Sequence, residues 1–245
     1  MKNLFLFLFL LVVFTSKAQD NRVSGLNSRQ FTKYWKVESE SPDYKVTFQG
    51  DTAEIVSPKG LTLWRKEKMS GKVTIEYDAC VVVESDGDRL SDLNCFWMAS
   101  DPQYPDNLWK REKWRSGIFL NCYSLQLYYL GYGGNHNSTT RFRRYDGDES
   151  GITNPKARPA ILKEYTDAGH LLKPNHWYHI KITNENNRVS YYIDGERLVD
   201  FRDAEPLREG WFGFRTTLSR TRITNFSYEC SSQEATAVPL QWIGE

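Results

Sequence analysis

From residue 176 to residue 229 the chain alternates apolar and polar side chains with a period of two, and this pattern most narrows the folds open to it. Stretches 176–183, 188–193, 197–201, 210–216 and 222–229 read as short strands, with Asp194-Gly195 as the two-residue turn of a hairpin. Neighbouring side chains on a strand point to opposite faces, so each stretch offers one face to a core and one to water. The first half of the chain carries the same signal. Stretches 34–38, 45–49, 53–56 and 61–64 are punctuated by Ser41-Pro42-Asp43, Gly50-Asp51 and Pro58-Lys59-Gly60. In 72–84, Val73, Ile75, Tyr77, Ala79, Val81 and Val83 oppose Thr74, Glu76 and Asp78, and 92–99 is a further strand. Helical periodicity is almost absent. The expectation is an all-β protein of two packed antiparallel sheets, with Trp97, Trp177 and Trp211 in the core.

Residues 116–145 have the composition of a site. They read as two long strands joined by a turn in which Gly131, Gly133, Gly134 and Asn135 tolerate positive φ. Gln126, Tyr128, Tyr129, Tyr132, His136, Arg141, Arg143, Arg144 and Tyr145 place aromatic faces, an amide and fixed positive charge within this one hairpin. Strand geometry puts Arg141 and Arg143 on one face and Phe142 and Arg144 on the other, so the three arginines enter one cleft only if a bulge intervenes. Upstream, 100–114 is a polar loop whose Tyr104, Trp109 and Trp114 either line a cleft or cover the core. Downstream, 146–173 is a long irregular segment of the kind that often carries function.

The chain ends differ in character from the middle. Lys2, the apolar run 4–14 and Ser16-Lys17-Ala18 have the layout of a cleaved export signal covering residues 1–18, and the run is too short to span a bilayer. The expectation is therefore a periplasmic or extracellular protein with no membrane insertion after cleavage. It would have one all-β domain over 19–230 and a tail, 231–245, docked through Val238, Leu240, Trp242 and Ile243. Without residues 1–18, which carry two lysines and no acid, the formal charge goes from +1 to −1, which argues against a nucleic-acid partner. Cys80, Cys95, Cys122 and Cys230 meet an oxidising compartment, where bridges and buried free thiols are both open.

The closing stretch carries a resemblance. Its Trp-led strand (His176-Trp177-Tyr178), the strand ending in Asp194-Gly195, a Pro206-containing turn and Gly210-Trp211-Phe212-Gly213-Phe214-Arg215 resemble the last strands of concanavalin-A-like jelly rolls of the laminin-G and glucanase type. Ser116-Gly117-Ile118, the tyrosine-rich strand and Arg141-Phe142-Arg143-Arg144 are similar to the YesU-like families found beside polysaccharide-degrading enzymes. More distantly, the chain resembles 3-keto-disaccharide hydrolase domains. The resemblance implies a jelly-roll sandwich and a polysaccharide or oligosaccharide partner. It does not choose among lyase, hydrolase and lectin, because function belongs to the site and not to the fold.

The residues discriminate further. A retaining glucanase needs carboxylates roughly 5 Å apart across the scissile bond. Glu76-Tyr77-Asp78 and Glu84-Ser85-Asp86 both lack the second glutamate of a Glu-x-Asp-x-x-Glu strand, with Val81 and Arg89 in its place. A uronate lyase instead needs a cation or amide on the sugar carboxylate and a His or Tyr to move the proton. The hairpin supplies that set, with Tyr128, His136, Arg141 and Arg144 as catalytic candidates. Gln126, Tyr129, Asn135, Arg143, Tyr145 and Trp109 are the substrate-binding candidates. The bland reading of the same arginines and tyrosines is cross-strand and cation–π pairing within the sheet. No metal site is expected: His176 and His179 fall on opposite faces of a strand. Asp86-Gly87-Asp88 and Asp146-Gly147-Asp148-Glu149 read as plain turns, leaving a structural calcium open and no cofactor required. Three classes fit: an enzyme cleaving a glycosidic bond, a non-catalytic glycan-binding module, and an envelope structural protein.

Overall fold

The computed structural model describes residues 23–231, so residues 1–18, expected to be an export signal, and all but Ser231 of the tail lie outside the described residues. Strands make up 53 % of the structure and helical turns 15 %, as the alternation requires. In chain order the strands are β1 (Val23–Ser24), β2 (Trp35–Ser39), β3 (Lys45–Gln49), β4 (Thr52–Arg65), β5 (Met69–Ser70), β6 (Lys72–Val81) and β7 (Leu93–Ser100). There follow β8 (Gln126–Gly133), β9 (Thr139–Asp146), β10 (Lys163–Tyr165), β11 (Tyr178–Glu185), β12 (Arg188–Ile193), β13 (Glu196–Arg202) and β14 (Glu209–Ser231).

They form a jelly-roll sandwich of two antiparallel sheets. One runs β10-β9-β8-β7 and continues through the first half of β14 and the second half of β4 to β2. The other runs β13-β12-β11-β6 and continues through the second half of β14 and the first half of β4 to β3. Thus 53–56 and 61–64 are one strand, as are 210–216 and 222–229. Both long strands bend at the same level: Pro58 and Lys59 of β4 together oppose the single residue Leu218, whose φ is +49°, so the bulge lies in β4. A proline is tolerated at this point because a bulge leaves ladder groups unpaired. Asp194 and Gly195, with φ of +50° and +83°, form the expected tight turn between β12 and β13.

Between the sheets lies a core that includes Trp35, Ile55, Ile75, Tyr77, Trp97, Tyr128, Phe142, Tyr191, Phe212 and Phe214. The expectation for Trp177 fails: it precedes β11, where the chain has not yet entered the ladder, and its side chain is 43 % exposed. The second departure is at 116–125. This segment is no strand, because Ser116 and Gly117 turn left-handed and a 3-10 turn, Leu120–Ser124, follows. Its apolar residues belong to a second core on the outer face of the first sheet, built from Trp64, Phe96, Leu108, Cys122, Leu125, Leu127, Tyr129, Tyr145 and Trp211. All four cysteines are free thiols; Cys80, Cys95 and Cys122 are buried, and Cys230 is half-buried.

Candidate functional site

Residues 101–125 roof part of the first sheet's outer face, and what fastens them is ionic. Arg115, fully buried, donates to Glu38 at 2.9 and 3.3 Å and to the Leu108 carbonyl at 2.7 Å. Arg111 forks onto the fully buried Asp101 at 2.7 and 3.0 Å. Burial pushes the Glu38 carboxyl up against the downward pull of Arg115. Gly117 lets the roof touch the sheet: a Cβ there would lie 2.7 Å from both the Glu40 amide nitrogen and the Gly60 carbonyl oxygen. Its own carbonyl accepts from Arg215 Nη1 at 2.6 Å.

Beside this roof the sheet stays open as a cleft of about 460 Å³. Its floor is a cross-strand row, since directly opposed residues share a face. Arg141 pairs with Gly131, Gly131 with Asn94, Asn94 with Arg215 and Arg215 with Thr62. Five strands distant in sequence therefore meet on one strip. Next to it Tyr129 lies along the sheet, and a Cβ on Gly131 would fall 2.2 Å from its hydroxyl oxygen. The ring packs against Phe96, Phe119 and Tyr145 with centroids 5.5, 5.6 and 5.8 Å away. Phe119 and Tyr123 form the roof's edge, and the Arg215 guanidinium sits 5.5 Å over the Phe119 ring.

The cleft is cationic. Arg89, Arg141, Arg143, Arg158 and Arg215 line it against two carboxylates, Glu40 and Asp92. Asp92 is taken up by Arg89 at 2.8 Å, and Arg141 donates to Glu164 at its edge at 2.5 Å. Among the described residues Arg143 donates only to the Pro159 carbonyl, and exposed Arg158 has no ion-pair partner. Buried Asn94 Oδ1 and Arg89 Nε have no hydrogen-bond partner among the described residues, which is uncommon for buried polar atoms and here falls in the cleft lining. Burial holds the Tyr129 phenol above its ordinary range. It also raises that of Tyr123, with Arg158 and Arg143 pulling the other way.

Of the residues singled out in the sequence, Tyr129, Asn135, His136, Arg141 and Arg143 line this cleft. Asn135 and His136 sit in the left-handed turn after β8, exposed at its rim. The others lie elsewhere. Tyr128 faces the inter-sheet core and donates its hydroxyl to Asp203 at 2.6 Å, where Arg144 Nε also donates at 2.7 Å. Arg144 further binds Asp146 and the Glu205 carbonyl, so it ties the sheet edge to the 203–207 loop. Tyr145 is fully buried in the second core. Trp109 packs there edge-on to Trp211, with centroids 6.1 Å apart, and Gln126 is at the far end of β8 opposite Asp146. Sequence reading missed Arg215, Arg158, Arg89 and Asn94. Arg215 was findable, because it alternates with core Phe212 and Phe214 and must face the other side. Arg158 lies in the long irregular segment already suspected of function.

No three His, Cys, Asp or Glu side chains converge as a metal site among the described residues. Asp88 and Asp148 instead accept hydrogen bonds within their own turns, which lowers both carboxyls. Glu76 and Asp78 lie on the outer face of the other sheet, paired with Lys181 and His179.

The fold is of the galectin-like kind. A Bacillus subtilis protein of unknown function with a galectin-like fold superposes with a TM-score of 0.64 at 15 % identity, covering 82 % of this chain and 91 % of that one. The carbohydrate binding module CBM66 from Bacillus subtilis gives 0.52 at 15 %, covering 80 % and 94 %. The exoplasmic/lumenal domain of VIP36 in its Ca2+/Man3GlcNAc-bound form gives 0.58 at 10 %, covering 89 % and 91 %. No curated protein sequence matches. Within this fold the chain belongs to the family described as a domain of unknown function, DUF6250, whose model matches residues 55–226.

Proposed function

We propose that this protein is exported and binds an acidic polysaccharide in the cleft, with a sugar carboxylate on the guanidinium groups of Arg141 and Arg143. One observation carries the reading: five arginines against two carboxylates in a cleft edged by Phe119, Tyr123 and Tyr129, in a chain of almost no net charge. A guanidinium forks onto a carboxylate bidentately, and aromatic rings beside it stack on the sugar. That Asp92 is committed to Arg89 and Glu40 accepts from the Gly60 amide argues against a carboxylate pair for hydrolysis. Export is supported by residues 1–18 alone, and the closer affinity to YesU-like proteins by Ser116-Gly117-Ile118 and the tyrosine- and arginine-rich hairpin.

A second reading, eliminative cleavage, is favoured by His136 and Tyr129 lying in the same cleft as Asn94 and the arginines. There a base would take the proton α to the sugar carboxylate, and the C4–O bond would break to form a C4=C5 double bond, with the leaving oxygen protonated. Titration calorimetry on polygalacturonate, alginate and hyaluronan, run alongside ultraviolet detection of unsaturated product, tests both. Affinity for acidic glycans that survives replacement of both Arg141 and Arg143 in folded protein refutes the first; binding without product refutes the second.

A further inference from the structure

The outer face of the second sheet carries many ion pairs, and at one end it also carries an exposed indole. There Trp177, 43 % exposed, stands over a depression of about 460 Å³ shared with Thr47, Gln49, Thr52, Glu54, Arg220 and Arg222. The register explains how they meet. Thr47 is opposite Glu54, Glu54 opposite Arg222, and Arg222 opposite Cys80, while Trp177 comes one residue before Tyr178, which pairs with Ala79. An indole left out of the core where strands begin is the unusual feature, because tryptophan is highly buried on average.

Its surroundings differ from the cleft in charge. Arg220 donates to Glu54 at 3.0 Å and to Glu84 at 2.6 Å. Arg222 donates to the same two acids at 2.7 and 3.4 Å. Two arginines are therefore balanced by two glutamates, and this end has no surplus charge for an anion. What remains is the exposed indole plate, with half-buried Phe48 also in the lining, beside hydroxyl and amide groups on Thr47, Thr52 and Gln49. A single exposed ring is far smaller than the apolar patch expected of a protein interface, roughly several hundred Å².

We infer that Trp177 and the Thr47–Gln49–Thr52 edge form a second glycan contact, on the sheet opposite the cleft, that takes a neutral pyranose. The sugar's C–H face, slightly positive, lies on the negative face of the indole, and its hydroxyls reach the threonines and Gln49. Two contacts on opposite sheets would let one molecule hold two chains, or two parts of one chain, and so gain avidity.

Calorimetry with cellohexaose, xylohexaose and mannohexaose on the wild-type protein and on Trp177→Ala and Trp177→Phe tests this, with polygalacturonate titrated into the same samples. At least one neutral hexasaccharide is expected to bind the wild type. Trp177→Ala should weaken it by about tenfold or more and Trp177→Phe by about threefold or less, with polygalacturonate unaffected. Should Trp177→Ala unfold, Gln49→Ala, on an exposed edge strand, is expected to weaken binding by about threefold. The inference is overturned if no hexasaccharide binds the wild type. It is equally overturned if Trp177→Ala, or Gln49→Ala in its stead, binds as tightly as the wild type. The polygalacturonate titration reads the cleft separately, so failure here leaves the cleft reading standing, and the reverse.

Discussion

Replacing Arg115 by Met tests whether the roof over the second core is held by its buried ion pair. Met keeps most of the volume while removing three hydrogen bonds, two to Glu38 and one to the Leu108 carbonyl. Glu38, 5 % exposed, stays buried without its ion-pair partner. Breaking one side of such a pair costs about 3–5 kcal/mol. The lower end applies here, because the Gly117 amide and Arg215 still favour the charged carboxylate. In a domain of this size about 3 kcal/mol corresponds to a fall in Tm of roughly 6–12 °C. Scanning calorimetry and urea unfolding read the loss. Replacing both partners, Glu38→Leu with Arg115→Met, should recover most of it, since a well-packed apolar pair replaces a buried ionic one at little loss. A single-variant loss below about 1 kcal/mol, the size of an exposed pair, would show that the reasoning about this link is wrong.

The hairpin arginines should separate by role. Arg143→Lys is expected to weaken acidic-glycan binding by about 1–3 kcal/mol at unchanged Tm, and Arg144→Lys to lower Tm while binding per folded molecule stays the same; the reverse assignment in paired calorimetric and melting measurements would contradict the geometry. Stability should fall in alkali, because burial holds the Cys95 thiol at about 12 against an ordinary 9.0. Above pH 9.0 the unfolded chain releases this proton and the folded one keeps it, so its contribution is whole below 9.0 and is lost as the pH rises to about 12. Urea unfolding between pH 9 and 10 should show a slope that Cys95→Val reduces by up to about 1.4 kcal/mol per pH unit, and an unchanged slope would count against it. For export, N-terminal sequencing of the mature protein should begin at or within a few residues of Gln19; a full-length N-terminus from the membrane fraction refutes it.

The alternation of Val73, Ile75, Tyr77 and Ala79, and that of the strands after residue 176, was enough by itself to specify an all-β sandwich. Strand periodicity is local, and each residue's face follows from its neighbours. The same rule put Arg141 and Arg143 on one side and Arg144 on the other, and the structure keeps that division. Which side is the open cleft is not local information. It depends on Arg115 finding Glu38, 77 positions away, and so on where the roof closes. The roof buries Tyr145, keeps its own Trp109 half-buried against Trp211, and leaves the buried Tyr129 ring at the cleft's edge, although these residues look alike in sequence. Likewise, near-neutral composition conceals an arginine cleft, because Arg89, Arg141, Arg158 and Arg215 come together only when five strands and two loops are in register. The sequence alone determined that the chain is a β-sandwich and which face each alternating residue takes. Tertiary structure decided which face is covered, because covering is a contact between segments that no local period encodes.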